Sequence, residues 1–122
     1  MAKTIMIVDD SASMRHVVGA ALKGEGYEVL EGQDGRDALS KLKGQKVHLI
    51  ISDVNMPNMD GISFVKAVKQ LPSYRFTPII MLTTESDEAR KAAGQAAGAK
   101  AWVVKPFQPA RLLLAVQKLC LP

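Results

Sequence analysis

Three acids, a pair of hydroxyls and a lysine each stand just past a short apolar run in this 122-residue chain. Asp9-Asp10 follow Ile5 to Val8, Asp53 lies just past Leu49 to Ile51, Thr83-Thr84 follow Ile79 to Leu82, and Lys105 follows Trp102 to Val104. Singly, an acid after a strand is a helix cap or turn residue. Jointly, these groups converge on one rim if the runs are neighbouring parallel strands. Two carboxylates about 4 Å apart repel by roughly 4 kcal/mol at an effective dielectric of ~20, so three together need a cation or a shared proton. An all-oxygen donor set with few protein ligands suits Mg²⁺. Zinc is disfavoured, because Cys120 is remote and His16 and His48 have no ligand-like spacing. His16 reads as a helix-surface residue and His48 as a turn residue. A divalent cation, an adjacent carboxylate and a fixed ammonium are the parts needed for phosphoryl transfer to an aspartate. The adjacent Asp9 and Asp10 read as a metal pair, which favours Asp53 as the nucleophile. Electrostatics alone leaves that choice open.

The elements that must place these groups are legible as alternating periods. The five apolar runs are Ile5–Val8, Val29-Leu30, Leu49–Ile51, Ile79–Leu82 and Trp102–Val104. Between them, stripes at helical spacing run through Met14, Val17, Val18, Ala21 and Leu22, then Ala38, Leu39 and Leu42, then Ile62, Val65 and Val68. A fourth helix, Asp87 to Ala97, is rich in Ala and has no large apolar residue, so its grip on a core is weak; a fifth carries Leu112, Leu113, Val116 and Leu119. Ser11 or Ser13 caps the first helix and Gly24 or Gly26 ends it, Asp60-Gly61 opens the third, and Gly98 closes the fourth. Strand–helix alternation with successive apolar residues in the strands predicts an α/β fold, a doubly wound parallel sheet covered by helices on both faces. Sites in such sheets form beyond the carboxyl ends of the strands.

Composition sets the outer bounds. With 48% hydrophobic, 23% charged and 5% aromatic residues, the chain reads as one globular domain over residues 1–122. One cysteine excludes an internal disulfide, and no apolar stretch approaches the roughly 20 residues that span a bilayer. No signal-peptide core precedes Asp9-Asp10, so a soluble, cytoplasmic protein with no membrane partner is expected. Net charge is +4, yet residues 1–60 hold 7 basic and 9 acidic side chains and residues 61–122 hold 9 and 3. An acidic pole and a basic pole are therefore expected. Basic residues are scattered and no stacking platform is visible, which argues against nucleic acid as a partner.

Taken in order, Val8-Asp9-Asp10-Ser11, Ser52-Asp53-Val54-Asn55-Met56-Pro57-Asn58-Met59-Asp60-Gly61, Met81-Leu82-Thr83-Thr84 and Lys105-Pro106-Phe107 resemble the motifs of the response-regulator receiver family. Within it, the chain is similar to the free-standing, CheY-like chemotaxis type, over essentially its whole length. The resemblance implies a flavodoxin-like (βα)5 fold with strand order 2-1-3-4-5. It implies a two-component phosphorelay role in which Asp53 accepts a phosphoryl group from a CheA-like histidine kinase. Asp9, Asp10 and Asp53 would hold Mg²⁺ together with the backbone carbonyl of Asn55, while Thr83 and Lys105 contact phosphoryl oxygens. A cis bond between Lys105 and Pro106 is implied too. So is a switch in which Thr83 and Trp102 couple the site to the face of the fourth helix, fifth strand and fifth helix. Asn55 and Glu85 occupy the positions that tune self-dephosphorylation in the family, and their polarity predicts a short-lived phosphoryl state.

Such a protein catalyses only its own phosphorylation and dephosphorylation, and is a signalling protein rather than an enzyme. No output domain is expected after the fifth helix, and the expected output is phosphorylation-controlled docking, as to a flagellar switch component in chemotaxis. The expected docking face is the fourth helix with Trp102 and the basic second half. Trp102 stands out of phase with Lys105 and so reports on the pocket rather than lining it; the plainer reading is a half-buried residue packed beside the fifth helix. Trp102 replaces the usual Tyr or Phe, and Thr84 stands where the family has a small residue. Rival readings are a non-motility receiver acting as a phosphate shuttle or sink, a small Mg²⁺-dependent phosphatase, and a flavodoxin-like FMN module. The last calls for a hydroxyl- and glycine-rich phosphate loop after the first strand, where this chain instead has Asp9-Asp10, which would repel phosphate unless a metal intervened.

Overall fold

Strand and helix alternate five times in the computed structural model, which describes residues 3–54, 56, 58–83, 88–104 and 108–119. The order is β1 (Thr4–Val8), α1 (Ala12–Gly24), β2 (Glu28–Gly32), α2 (Gly35–Leu42), β3 (Leu49–Asp53), α3 (Gly61–Gln70), β4 (Ile79–Thr83), α4 (Glu88–Ala97), β5 (Ala101–Val104) and α5 (Pro109–Leu119), with a 3-10 turn at Pro72–Tyr74. All strand pairs are parallel, in the order β2-β1-β3-β4-β5. The α/β fold class and the strand order are those expected.

Two cores sandwich the sheet, and the two-residue period of the strands sorts side chains between them. Met6, Val8, Ile50 and Met81 meet Ala38 and Leu42 of α2 and Phe64, Val65 and Val68 of α3. Ile5, Ile7, Leu49, Ile51, Ile80 and Leu82 meet Val18 and Leu22 of α1 and Leu112 and Val116 of α5. β3 is buried at every residue, as a strand covered on both faces must be. β2 is the thin signal: it is an edge strand with Glu28 and Glu31 exposed, so only its middle reads as apolar.

Helix ends follow local chemistry. Ser11, not Ser13, caps α1 by accepting from the Met14 N–H at 3.2 Å. Asp34 caps α2 by accepting from the Asp37 N–H at 2.8 Å, and Asp60 caps α3 by accepting from the Ser63 N–H at 2.7 Å. Gly98 ends α4 at φ +122°, a left-handed conformation glycine adopts without steric cost. The expected opening of α4 at Asp87 lies outside the described residues. His16 is exposed on α1 as expected. His48 does more than turn the chain, since its Nδ1 accepts from the Thr4 N–H at 3.0 Å and ties the start of β1 to the approach to β3.

Candidate functional site

Each parallel strand ends on the same edge of the sheet, and register decides which residues meet there. Val8 is level with Ser52, and Asp53 with Leu82. The acid after β1 and the acid ending β3 are therefore side by side. Asp9, Asp10 and Asp53 each present a carboxylate oxygen, and all three lie within 4.8 Å of one another. Asp9 and Asp53 are buried, at 1% and 8% exposure, whereas Asp10 faces solvent. Among the described residues no other group of three acids, histidines or cysteines gathers so closely.

Each buried carboxylate is oriented by the backbone. The Ser11 N–H donates to Asp9 Oδ1 at 2.9 Å, and the Val54 N–H donates to Asp53 Oδ1 at 2.8 Å. Backbone bonds fix the chain beneath them. The Asp9 N–H donates to the Gly32 carbonyl, and the Val54 N–H also reaches the Leu82 carbonyl. Arg15, one turn into α1, donates through Nη1 to the Asp9 carbonyl and through Nε to Glu31 at 3.1 Å. It straps the Asp9 turn to the end of β2.

The segment after Asp53 is closed by the Gly61 N–H, which donates to the Val54 carbonyl at 2.7 Å. A side chain at Gly61 has no room: its Cβ would overlap the Asp53 carbonyl and lie 2.8 Å from Val54 Cα. Asn58 adopts φ +66°, and its amide donates to Asp34 Oδ2 at 2.9 Å. Asp34 is thus a cap for α2 and an anchor for the segment that follows Asp53. The Asp37 N–H and then the Asn58 amide hold its carboxyl below the ordinary aspartate value, against the opposing effect of burial. Arg15, Asp34, Asn58 and Gly61 play no part in the sequence-based site. Asn58 and Gly61 stand in the motif after Asp53 without a role, and Arg15 carries no signal; Asp34 is legible as an acid following a strand, but its carboxylate turns to a helix N-terminus and Asn58 instead of joining the acid cluster.

Thr83 ends β4 level with Val104, on the same edge, but its side chain lies outside what the structure describes. Asn55, Glu85, Lys105 and Pro106, with the implied cis bond, also lie outside the described residues. Trp102 is half-buried and belongs to the core shared with α2 and α3, opposite α5. The packing place expected beside the fifth helix is therefore corrected. Its register partner Met81 faces the same side, and the indole lies against α4, where a Cβ at Gly94 would fall 2.8 Å from Trp102 Cζ3. The indole Nε1 is buried without a hydrogen-bond partner among the described residues.

The charge division also differs from a split between chain halves. Asp9, Asp10, Asp34, Asp53 and Asp60 sit at the carboxyl edge of the sheet. Lys43 and Lys46, from the acidic half, lie toward the opposite edge with Lys69 and Arg75. Neither division is complete, since Glu25 and Glu28 lie at the amino edge and Arg15 and Arg36 at the carboxyl edge.

The donor set fits a small hard cation. Six ligands at about 2.1 Å place neighbouring oxygens roughly 3 Å apart and opposite ones roughly 4.2 Å apart. Three oxygens already within 4.8 Å need little movement to reach that span.

A family model described as the response regulator receiver domain matches residues 5–117. The chain is 39% identical over 119 residues to the chemotaxis protein CheY of Bacillus subtilis, covering 97% of this chain and 98% of that protein. It is 39% identical over 107 residues to the chemotaxis protein CheY1 of Helicobacter pylori, covering 86% of each. The solved structure of the chemotaxis protein CheY4 of Vibrio cholerae superposes with a TM-score of 0.94 at 48% identity, covering 98% of this chain and 99% of that one.

Proposed function

The chain belongs to the response regulator receiver family of two-component signalling, and from that premise we propose that Asp53 is a phosphoacceptor in a Mg²⁺-dependent reaction. The observation that carries the proposal is the meeting of Asp9, Asp10 and Asp53 within 4.8 Å. Asp53 accepts the Val54 N–H through Oδ1, which orients its carboxylate. Its carboxylate attacks the phosphorus of a phosphohistidine in line, the phosphorus–nitrogen bond breaks, and an acyl phosphate results. Asp9 and Asp10 hold the cation with Asp53 and the Asn55 carbonyl, which supplies neutralising charge at the phosphoryl oxygens. Lys105 adds an ammonium to the same group, and Thr83 a hydroxyl. Asn55 and Glu85 keep the phosphoryl state short-lived, Glu85 by placing water.

The donor is a histidine kinase of the CheA kind, and the output is docking of the phosphorylated form to a target such as a flagellar switch component. Chemotaxis is favoured over a shuttle or sink because the relatives above bear that name. Phosphorylation stabilises a docking-competent state already present as a minor population. Trp102 reports the change, since its indole bridges β5 and α4.

Incubation with acetyl phosphate and Mg²⁺ tests the reading. A hydroxylamine-sensitive phosphoryl adduct is expected in the native protein and in Asp60→Asn, and none in Asp53→Asn. Equal labelling of Asp53→Asn overturns it.

A further inference from the structure

We propose that the groove between the C-terminal ends of α2 and α3 is a docking site for a short acidic segment of a partner protein, anchored by a large apolar side chain. The groove encloses about 630 Å³, within the roughly 300–1,000 Å³ of ligand clefts. Leu39, Ala67, Leu71 and Tyr74 line it, and Lys43 and Lys46 stand on its rim. Tyr74 is a fixed surface of this groove: its hydroxyl is shared between the Leu42 and Gln45 carbonyls, which leaves the ring to pack. Leu71 is 37% exposed, and Phe76, five residues on, is 89% exposed.

Charge identifies the occupant. Residues 38–52 and 61–84 contain six Lys and Arg and no Asp or Glu, in a chain with 12 acids. Lys43 and Lys46 are exposed and make no ion pair among the described residues. A lysine in the last turn of a helix is explained by the helix dipole, as for Lys41 and Lys69. That reason does not reach Lys46, four residues beyond α2, nor does it account for two acid-free segments meeting at one cleft. An apolar cleft with a cationic rim and no acid in its walls complements an acidic, apolar-anchored peptide and repels a basic one.

Position gives the site a distinct use. α2 and α3 each run from the carboxyl edge of the sheet back to its amino edge, so the groove lies at the end away from Asp9, Asp10 and Asp53. Resting on the phosphoacceptor reading, the groove serves as a tether whose occupancy does not depend on phosphorylation.

Nuclear magnetic resonance titration of the nitrogen-15-labelled chain with the peptide acetyl-Glu-Asp-Leu-Phe-Asp-Glu-amide tests this, beside a counterpart with lysine at every acidic position. Amide shifts confined to residues 39–46 and 67–76 are expected for the acidic peptide only. Lys43→Glu/Lys46→Glu should weaken binding roughly tenfold, and Ala67→Phe should block it by filling the cleft. Affinity should be unchanged by Mg²⁺ with beryllofluoride. Scattered shifts, equal binding of the lysine peptide, or indifference to the charge reversal overturn the site; a large beryllofluoride effect overturns the tether. Acetyl phosphate labelling of Asp53 on the same samples separates the two readings. Labelling intact with no peptide bound removes only the groove, and labelling lost with peptide bound removes only the phosphoacceptor.

Discussion

Asp9→Asn should make the metal-free protein more stable while removing its response to Mg²⁺. At a separation of 4.8 Å or less and an effective dielectric of ~20, the Asp9 and Asp53 carboxylates repel by about 3.5 kcal/mol. Solvent, counterions and neighbouring cations reduce what is recovered on neutralisation to roughly 1–2 kcal/mol. The asparagine keeps an Oδ1 to accept the Ser11 N–H, so the bond seen at 2.9 Å survives the change. For a domain of this size the gain corresponds to a rise in Tm of roughly 4–8 °C in chelator. Mg²⁺ at about 100 times its dissociation constant should stabilise the native protein by about 2.7 kcal/mol, whereas Asp9→Asn should gain under about 1 kcal/mol at the same concentration. Thermal melts with and without Mg²⁺ measure both quantities. A variant less stable than native in chelator, or one that retains the full Mg²⁺ gain, would refute the electrostatic reasoning.

Gly61→Ala should lose about 3 kcal/mol, roughly 10 °C in Tm, because its Cβ meets the Asp53 carbonyl and Val54 Cα, which are backbone and cannot yield; a native-like melt contradicts this. Gly94→Ala should push the indole of Trp102 toward water, read as a red shift of its emission. Stability should change little, since ~1 kcal/mol of helix propensity offsets the repacking. Asp34 has a folded carboxyl held below the ordinary value of 3.8, so its stabilisation is present above about pH 4 and fades as pH falls through the lowered folded value. Asp34→Asn should therefore cost about 1 kcal/mol at pH 7 and flatten the acid side of the stability curve in denaturant titrations. Unchanged steepness would exclude Asp34 as a contributor.

The fold was legible because β3 and β4 are apolar on successive residues and the helices between them repeat at 3.6. β2 shows in the sequence only as Val29-Leu30 because an edge strand exposes Glu28 and Glu31. The acids of the site were legible for a topological reason: parallel strands deliver whatever follows them to one edge. What supports those acids was not. Arg15 acts through a backbone carbonyl, Asn58 through a left-handed turn, and Gly61 by having no side chain where two segments touch. None of these leaves a periodic or compositional mark. Strand phase relative to Lys105 fixes the face Trp102 occupies, but which helix covers that face depends on the crossovers. The choice is visible only once Gly94 is seen to make room for the indole.

Mapping the acyl phosphate itself reaches the centre of the matter. After reaction with acetyl phosphate and Mg²⁺, borohydride trapping followed by peptide mass spectrometry should find a reduced residue at position 53 alone, and none when chelator replaces Mg²⁺. Modification at Asp9, Asp10 or Asp60, or labelling that ignores the metal, would contradict a carboxylate triad built to phosphorylate Asp53.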